Sequence, residues 1–151
     1  MFQFSNKSKE RLASVHPALQ RVVVRALELS SVDFSVVEGA RSITQQQENV
    51  HKGVSKTMKS KHLVHADGYA YAVDLYPYPY SDDINDFYPI VTAMRKAAKE
   101  LNTKIRWGGC WCELNSDTRL PKDIAEQYTA VRRKAGNTAF IDGPHFELVG
   151  G

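Results

Sequence analysis

Apolar residues recur along this chain with two different periods. Leu19, Val22, Val23, Ala26 and Leu27 share one helical face, and Pro17 suits a first helical turn, so residues 17–29 are predicted as an amphipathic helix. Phe87, Ile90, Val91, Met94, Ala98 and Leu101 repeat that spacing, with Asp86 as the expected cap. Shorter helices are expected from Ser8, as cap, through Val15, over 43–51 with Gly53 as its end, and over 121–135. The other period is two. From Tyr69 to Tyr76, Ala70, Ala72, Asp74 and Tyr76 face one way, and Tyr71, Val73 and Leu75 the other. Phe34 to Glu38, Lys104 to Trp107 and Phe146 to Leu148 read as further short strands. Residues 54–68 read as loop, and Pro77-Tyr78-Pro79 as a turn.

Short strands mixed with helices, without regular β-α-β alternation, predict an α+β fold: a small, mainly antiparallel sheet with helices packed on it. The 151 residues suit one domain, 1–151, and no repeat, low-complexity tract or linker divides them. With 42% hydrophobic and 25% charged residues, the composition excludes disordered, collagen-like and coiled-coil chains. The net charge of +3 is unevenly spread, since residues 1–61 hold ten Lys and Arg against five acids. That basic third suits an anionic partner, or is simply a solvated helical face. It carries no nucleic-acid-binding motif, and the aromatic residues cluster at Tyr69–Tyr80, away from it.

Met1 to Lys7 has no apolar run after a basic start, and no stretch approaches a membrane span. The expectation is a chain made in the cytoplasm without membrane insertion. Cys110 and Cys112 are two apart in Trp107-Gly108-Gly109-Cys110-Trp111-Cys112. A loop that short closes a disulfide poorly in extended chain, so both are expected as reduced thiols.

Three segments carry candidate chemistry. Ser60-Lys61-His62, Ala72-Val73-Asp74-Leu75 and Asp142-Gly143-Pro144-His145 each offer a metal ligand. Two imidazoles and one carboxylate leave a fourth tetrahedral position open, the plan of a catalytic zinc site. Asp74 lies in an apolar strand beside two alanines, where an unpartnered carboxylate is costly. A cation accounts for it, as does an arginine partner or a turn cap. Asp142 precedes His145 by three residues across Gly143-Pro144, a turn that brings a carboxylate beside the open position without making it a ligand.

Together with Gly39-Ala40-Arg41-Ser42 and Arg106-Trp107-Gly108-Gly109, these segments resemble the D-Ala-D-Ala carboxypeptidase (VanY-like) zinc peptidases over nearly the whole chain. Within that family the likeness is strongest to the L-alanyl-D-glutamate endopeptidases of phage endolysins. The resemblance implies a zinc ion, in a cleft on the sheet, held by His62, Asp74 and His145. It implies Asp142 as general base and Arg41 beside the substrate. The implied substrate is the peptidoglycan stem peptide, cut at its L-Ala–D-Glu bond. The implied setting is the periplasm after the inner membrane is breached, with a monomeric enzyme and no separate wall-binding domain.

Two departures stand out. His62 and Asp74 are twelve residues apart, which leaves His65 as a rival ligand, although the Ser-basic-His context favours His62. Cys110 stands where relatives often carry an acid. A D,D-carboxypeptidase of the same fold, and a non-catalytic wall-binding module with a vestigial metal site, are the alternatives.

Overall fold

The computed structural model describes residues 2–41 and 61–150. The helix expected over 43–51, its end at Gly53 and the 54–60 part of the expected loop lie outside the described residues. In chain order the elements are α1 (Asn6–Ala13), α2 (Pro17–Leu29), β1 (Phe34–Glu38), β2 (Ala72–Pro77), α3 (Ile84–Glu100), β3 (Ile105–Trp107), β4 (Cys112–Glu113), α4 (Pro121–Lys134) and β5 (His145–Leu148). The five strands form one sheet in the order β1-β2-β5-β3-β4, and every neighbouring pair is antiparallel. The α+β expectation therefore holds.

The periodic segments become elements because each has a face to bury. α2 buries Leu19, Val22, Val23, Ala26 and Leu27, the residues that carried its pattern. Its Pro17 opens the helix, and the Nδ1 atom of His16 accepts the Ala18 N–H at 3.0 Å. α3 buries Phe87, Ile90, Val91 and Met94. These helices cover the sheet face that presents Val73, Leu75, Trp107 and Phe146, and together they form the core. On β2 the alternation sends Val73 and Leu75 inward, while Asp74 and Tyr76 on the other side are only half-buried. The last strand, β5, sits between β2 and β3, and its register sets His145 opposite Asp74.

Two helix starts differ from expectation. Asp83, not Asp86, caps α3 and accepts the Asn85 N–H at 2.9 Å. Asp86 lies in the first turn, where its carboxylate still suits the helix dipole. Ser5, not Ser8, caps α1. Ser8 is one turn in and buried, and its Oγ accepts the Val36 N–H of β1 at 3.1 Å. Arg11 donates to the Val36 carbonyl at 3.1 Å, so α1 takes both main-chain groups of that residue on the strand's outer edge.

The expectation of reduced thiols is overturned. Cys110 and Cys112 form a disulfide with their Cα atoms 5.1 Å apart. The extended geometry behind that expectation does not apply, because Trp111 between them has a φ of 53° and folds the chain into a tight turn. β4, which begins at Cys112, is too short to leave a periodic signal.

Candidate metal centre and active site

The site is built where β2 and β5 lie side by side, with a third side chain brought in by the chain before Leu63. Gly39, just past β1, approaches α1 so closely that a Cβ there would collide with the Arg11 carbonyl oxygen. That approach sets the Gly39 carbonyl against His62, whose Nδ1 lies 2.8 Å from it. The Arg41 N–H donates to the His62 carbonyl at 2.7 Å and ties the two segments together. On the other side, Gly108 donates its N–H to the His145 carbonyl at 2.8 Å and accepts from the Asp142 N–H at 2.9 Å. A Cβ on Gly108 would strike the Asp142 carbonyl oxygen, so only glycine lets β3 end against this turn.

His62 Nε2 lies 3.1 Å from Asp74 Oδ1, and His145 Nδ1 lies 3.5 Å from the same oxygen. One ligand atom from each of the three residues lies within 4.8 Å of the others. Among the described residues this is the cluster able to coordinate a metal ion. Both histidines are buried, 2% and 5% exposed, so their orientation is set by the protein. Each ring also has its far nitrogen engaged. His62 Nδ1 meets the Gly39 carbonyl, and His145 Nε2 meets Glu147 Oε1 at 2.8 Å. An imidazole that donates from one nitrogen presents a lone pair on the other, which fixes the ligating tautomer.

His65 is not in this group. Its ring stacks on Tyr71 with centroids 3.9 Å apart and planes 7° apart. Asp142 is adjacent to the cluster, its Oδ2 3.9 Å from His145 Nδ1. Arg41 is held by Glu38, which accepts from its Nε at 2.6 Å and from a terminal nitrogen at 2.9 Å. From there its charge acts on both Asp74 and Asp142.

The electrostatics describe a place for a cation. Burial raises the Asp74 carboxyl, but the charge of His62 and hydrogen bonds from both histidines outweigh it and hold it well below the usual carboxylate range. Burial, reinforced by the Asp74 carboxylate, pushes Asp142 up to about 6. Burial lowers His145, yet its bonds to Asp74 and Glu147 and the nearby carboxylates raise it to about 9. The carboxylates that favour a proton on His145 would equally favour a cation held between it, His62 and Asp74, which would take that proton's place.

Glu147 carries no role in the expectations above, yet the structure sets its carboxylate on the His145 ring. Burial raises its carboxyl, and the His145 hydrogen bond, the His145 charge and Lys61 more than reverse that. Lys61 and Arg106 lie 3.2 and 3.3 Å from its Oε2. Its position two residues after His145 on a four-residue strand was the available signal, since alternate residues share a face. Glu147→Ala is expected to weaken metal binding by about 10–100-fold, and Glu147→Gln, which keeps an acceptor oxygen, by less. Competition against a chromogenic chelator measures this; unchanged affinity in both variants would remove Glu147 as the support of His145.

Trp111 closes one side of the cluster. Its ring centroid lies 5.1 Å from that of His145 and 6.0 Å from Phe140, with which it stacks.

Comparison with known proteins agrees with this geometry. The chain is 38% identical, over 155 aligned residues covering 98% of each sequence, to the L-alanyl-D-glutamate peptidase of Escherichia phage T5. Its fold matches the crystal structure of the Serratia marcescens L-Ala D-Glu endopeptidase ChiX with a TM-score of 0.70 and 34% identity, covering 98% of this chain and 90% of that one. The family model described as phage L-alanyl-D-glutamate peptidase matches residues 1–149. With a matching family model, fold and cluster of ligands, the chain belongs to the phage L-alanyl-D-glutamate peptidase family.

Proposed function

We propose that this protein is a zinc-dependent peptidoglycan endopeptidase that hydrolyses the L-Ala–D-Glu bond of the stem peptide and acts in phage-type lysis. The observation that carries the reading is the convergence of His62, Asp74 and His145, with Asp142 beside them, in a chain of this family. Ligand atoms about 2.0–2.2 Å from a tetrahedral zinc ion stand roughly 3.3–3.6 Å apart. Around Asp74 Oδ1 the 3.5 Å separation matches that spacing and the 3.1 Å one is slightly shorter, and two nitrogens with one oxygen fit zinc's ligand preference.

His62, Asp74 and His145 would hold the ion. When bound, zinc supplies Lewis-acid activation of water and of the scissile carbonyl. Asp142 takes the proton of the attacking water and returns it to the leaving amine. Its burial and its neighbour Asp74 make it more basic than an exposed aspartate, which suits that exchange. Arg41, braced by Glu38, steadies the developing negative charge on the carbonyl oxygen or binds a substrate carboxylate. One α+β unit, acting as a monomer, suffices for this chemistry. Its substrate lies outside the inner membrane, so lysis follows a breach of that membrane. No helix among the described residues is long and apolar enough to cross a membrane.

Mass spectrometry of purified sacculi digested with the protein tests the reading. The expected products carry a free D-Glu amino terminus and disappear with a chelator. Release of terminal D-Ala instead would make the protein a D,D-carboxypeptidase, and intact sacculi would leave only a wall-binding role.

A further inference from the structure

Trp111 is held in an unusual way for a residue beside a metal cluster. It has a φ of 53°, a left-handed conformation uncommon outside glycine and asparagine. Its own N–H donates to the Trp107 carbonyl at 2.7 Å, at the end of β3. Its indole N–H donates to the Phe140 carbonyl at 2.9 Å, and the two rings stack. The disulfide joins the residues on either side, and the Cys112 N–H meets Cys110 Sγ at 3.1 Å. A residue serving only the core would be buried, but Trp111 is half-buried and Phe140 is 40% exposed. The pair presents an aromatic surface that begins at the His145 ring and reaches solvent.

We infer that Trp111, backed by Phe140, is a substrate-positioning wall, and that the Cys110–Cys112 disulfide holds it in place. The inference rests on the proposed activity, because the wall takes the C–H-rich sugar and alanyl face of the substrate next to the scissile bond. Stacking and C–H contacts of this kind need the ring in one orientation. Opening the disulfide removes the clamp. Reduction breaks the S–S bond and adds two electrons and two protons to give two thiols. A trialkylphosphine supplies the electrons, water supplies the protons, and the phosphine ends as its oxide. With the link gone, Trp111 is free to leave the left-handed region and carry its ring away from His145.

The test uses the metal-loaded protein and the disaccharide-tetrapeptide released from sacculi by a muramidase. Reduction by the phosphine is expected to raise KM about tenfold, the size of a lost aromatic contact, with kcat changed less than twofold. Metal content and far-ultraviolet circular dichroism stay constant. Trp111→Ala shows the same rise and no further change on reduction, whereas Trp111→Phe keeps most of the affinity and its sensitivity. An unchanged KM on reduction, or an equal further rise in Trp111→Ala, overturns the inference. If the oxidised protein turns over nothing, the activity reading falls by itself. Quenching of tryptophan fluorescence by the same muropeptide then decides the wall: it must be present in the oxidised protein and absent from both the reduced protein and Trp111→Ala.

Discussion

Asp142→Asn is expected to retain the metal and the fold and to lose roughly 10²–10⁴-fold in kcat, the usual worth of a positioned general base. Asparagine matches the shape of aspartate and keeps an acceptor oxygen, but it cannot take up a proton. The side chain is set by its main chain: Asp142 exchanges hydrogen bonds with Gly108 and His145, at 2.9 and 3.1 Å, through backbone atoms alone. The substitution therefore leaves the turn intact. It also relieves the repulsion with Asp74 that helps to raise Asp142, so the folded protein should be no less stable. Turnover of the disaccharide-tetrapeptide, with metal per chain measured in parallel, checks the outcome. A zinc-loaded variant with kcat within threefold of the parent would exclude Asp142 as base. Glu147 does not inherit the role, because it meets His145 at Nε2, the nitrogen opposite the one that faces Asp74.

The second large effect separates the two histidines. His62→Ala is expected to lose bound metal on dialysis and with it essentially all activity, since only Asp74 and His145 would remain to hold the ion. His65→Ala is expected to keep one metal ion per chain. It forfeits the stack on Tyr71, worth about 0.5–1.5 kcal/mol, and a small fall in melting temperature is the expected sign. Elemental analysis of both proteins after dialysis against metal-free buffer is decisive. Metal retained by His62→Ala and lost by His65→Ala would reverse the assignment.

The contrast between these histidines shows how far the sequence reaches. His62 and His65 are the same residue type three positions apart, and only the Ser60-Lys61 context distinguished them. The structure separates them through the Gly39 carbonyl, a main-chain atom with no signature in the sequence. Helices such as α2 were legible because burial on one face writes a repeating pattern. Caps were less so: Ser5 and Ser8 look alike in sequence, and the difference lies in whether Val36 of a distant strand needs an acceptor. The cross-strand pairing of Asp74 with His145 could be suspected from residue types, but it depends on β5 entering the sheet between β2 and β3. The disulfide was misread because the spacing was judged on an extended chain, and nothing in the residue type of Trp111 announces a left-handed turn.

The grip of α1 on Val36 has a consequence for how a peptide can be recognised here. Many peptide-binding domains add the ligand as an extra strand on an open sheet edge, where free main-chain groups do the reading. Here the middle of β1 has its N–H taken by Ser8 and its carbonyl by Arg11, and the opposite edge strand is two residues long. Among the described residues, neither edge gives an incoming chain an unbroken ladder. For a stem peptide this costs nothing: L-Ala and D-Glu have opposite handedness, so neighbouring side chains would not alternate across a pleat as strand addition requires. In the proposed reading, recognition falls to side chains instead: Arg41, Asp142 and Trp111. The same two features, the grip on Val36 and the brevity of β4, also work against two copies of the protein pairing strand to strand.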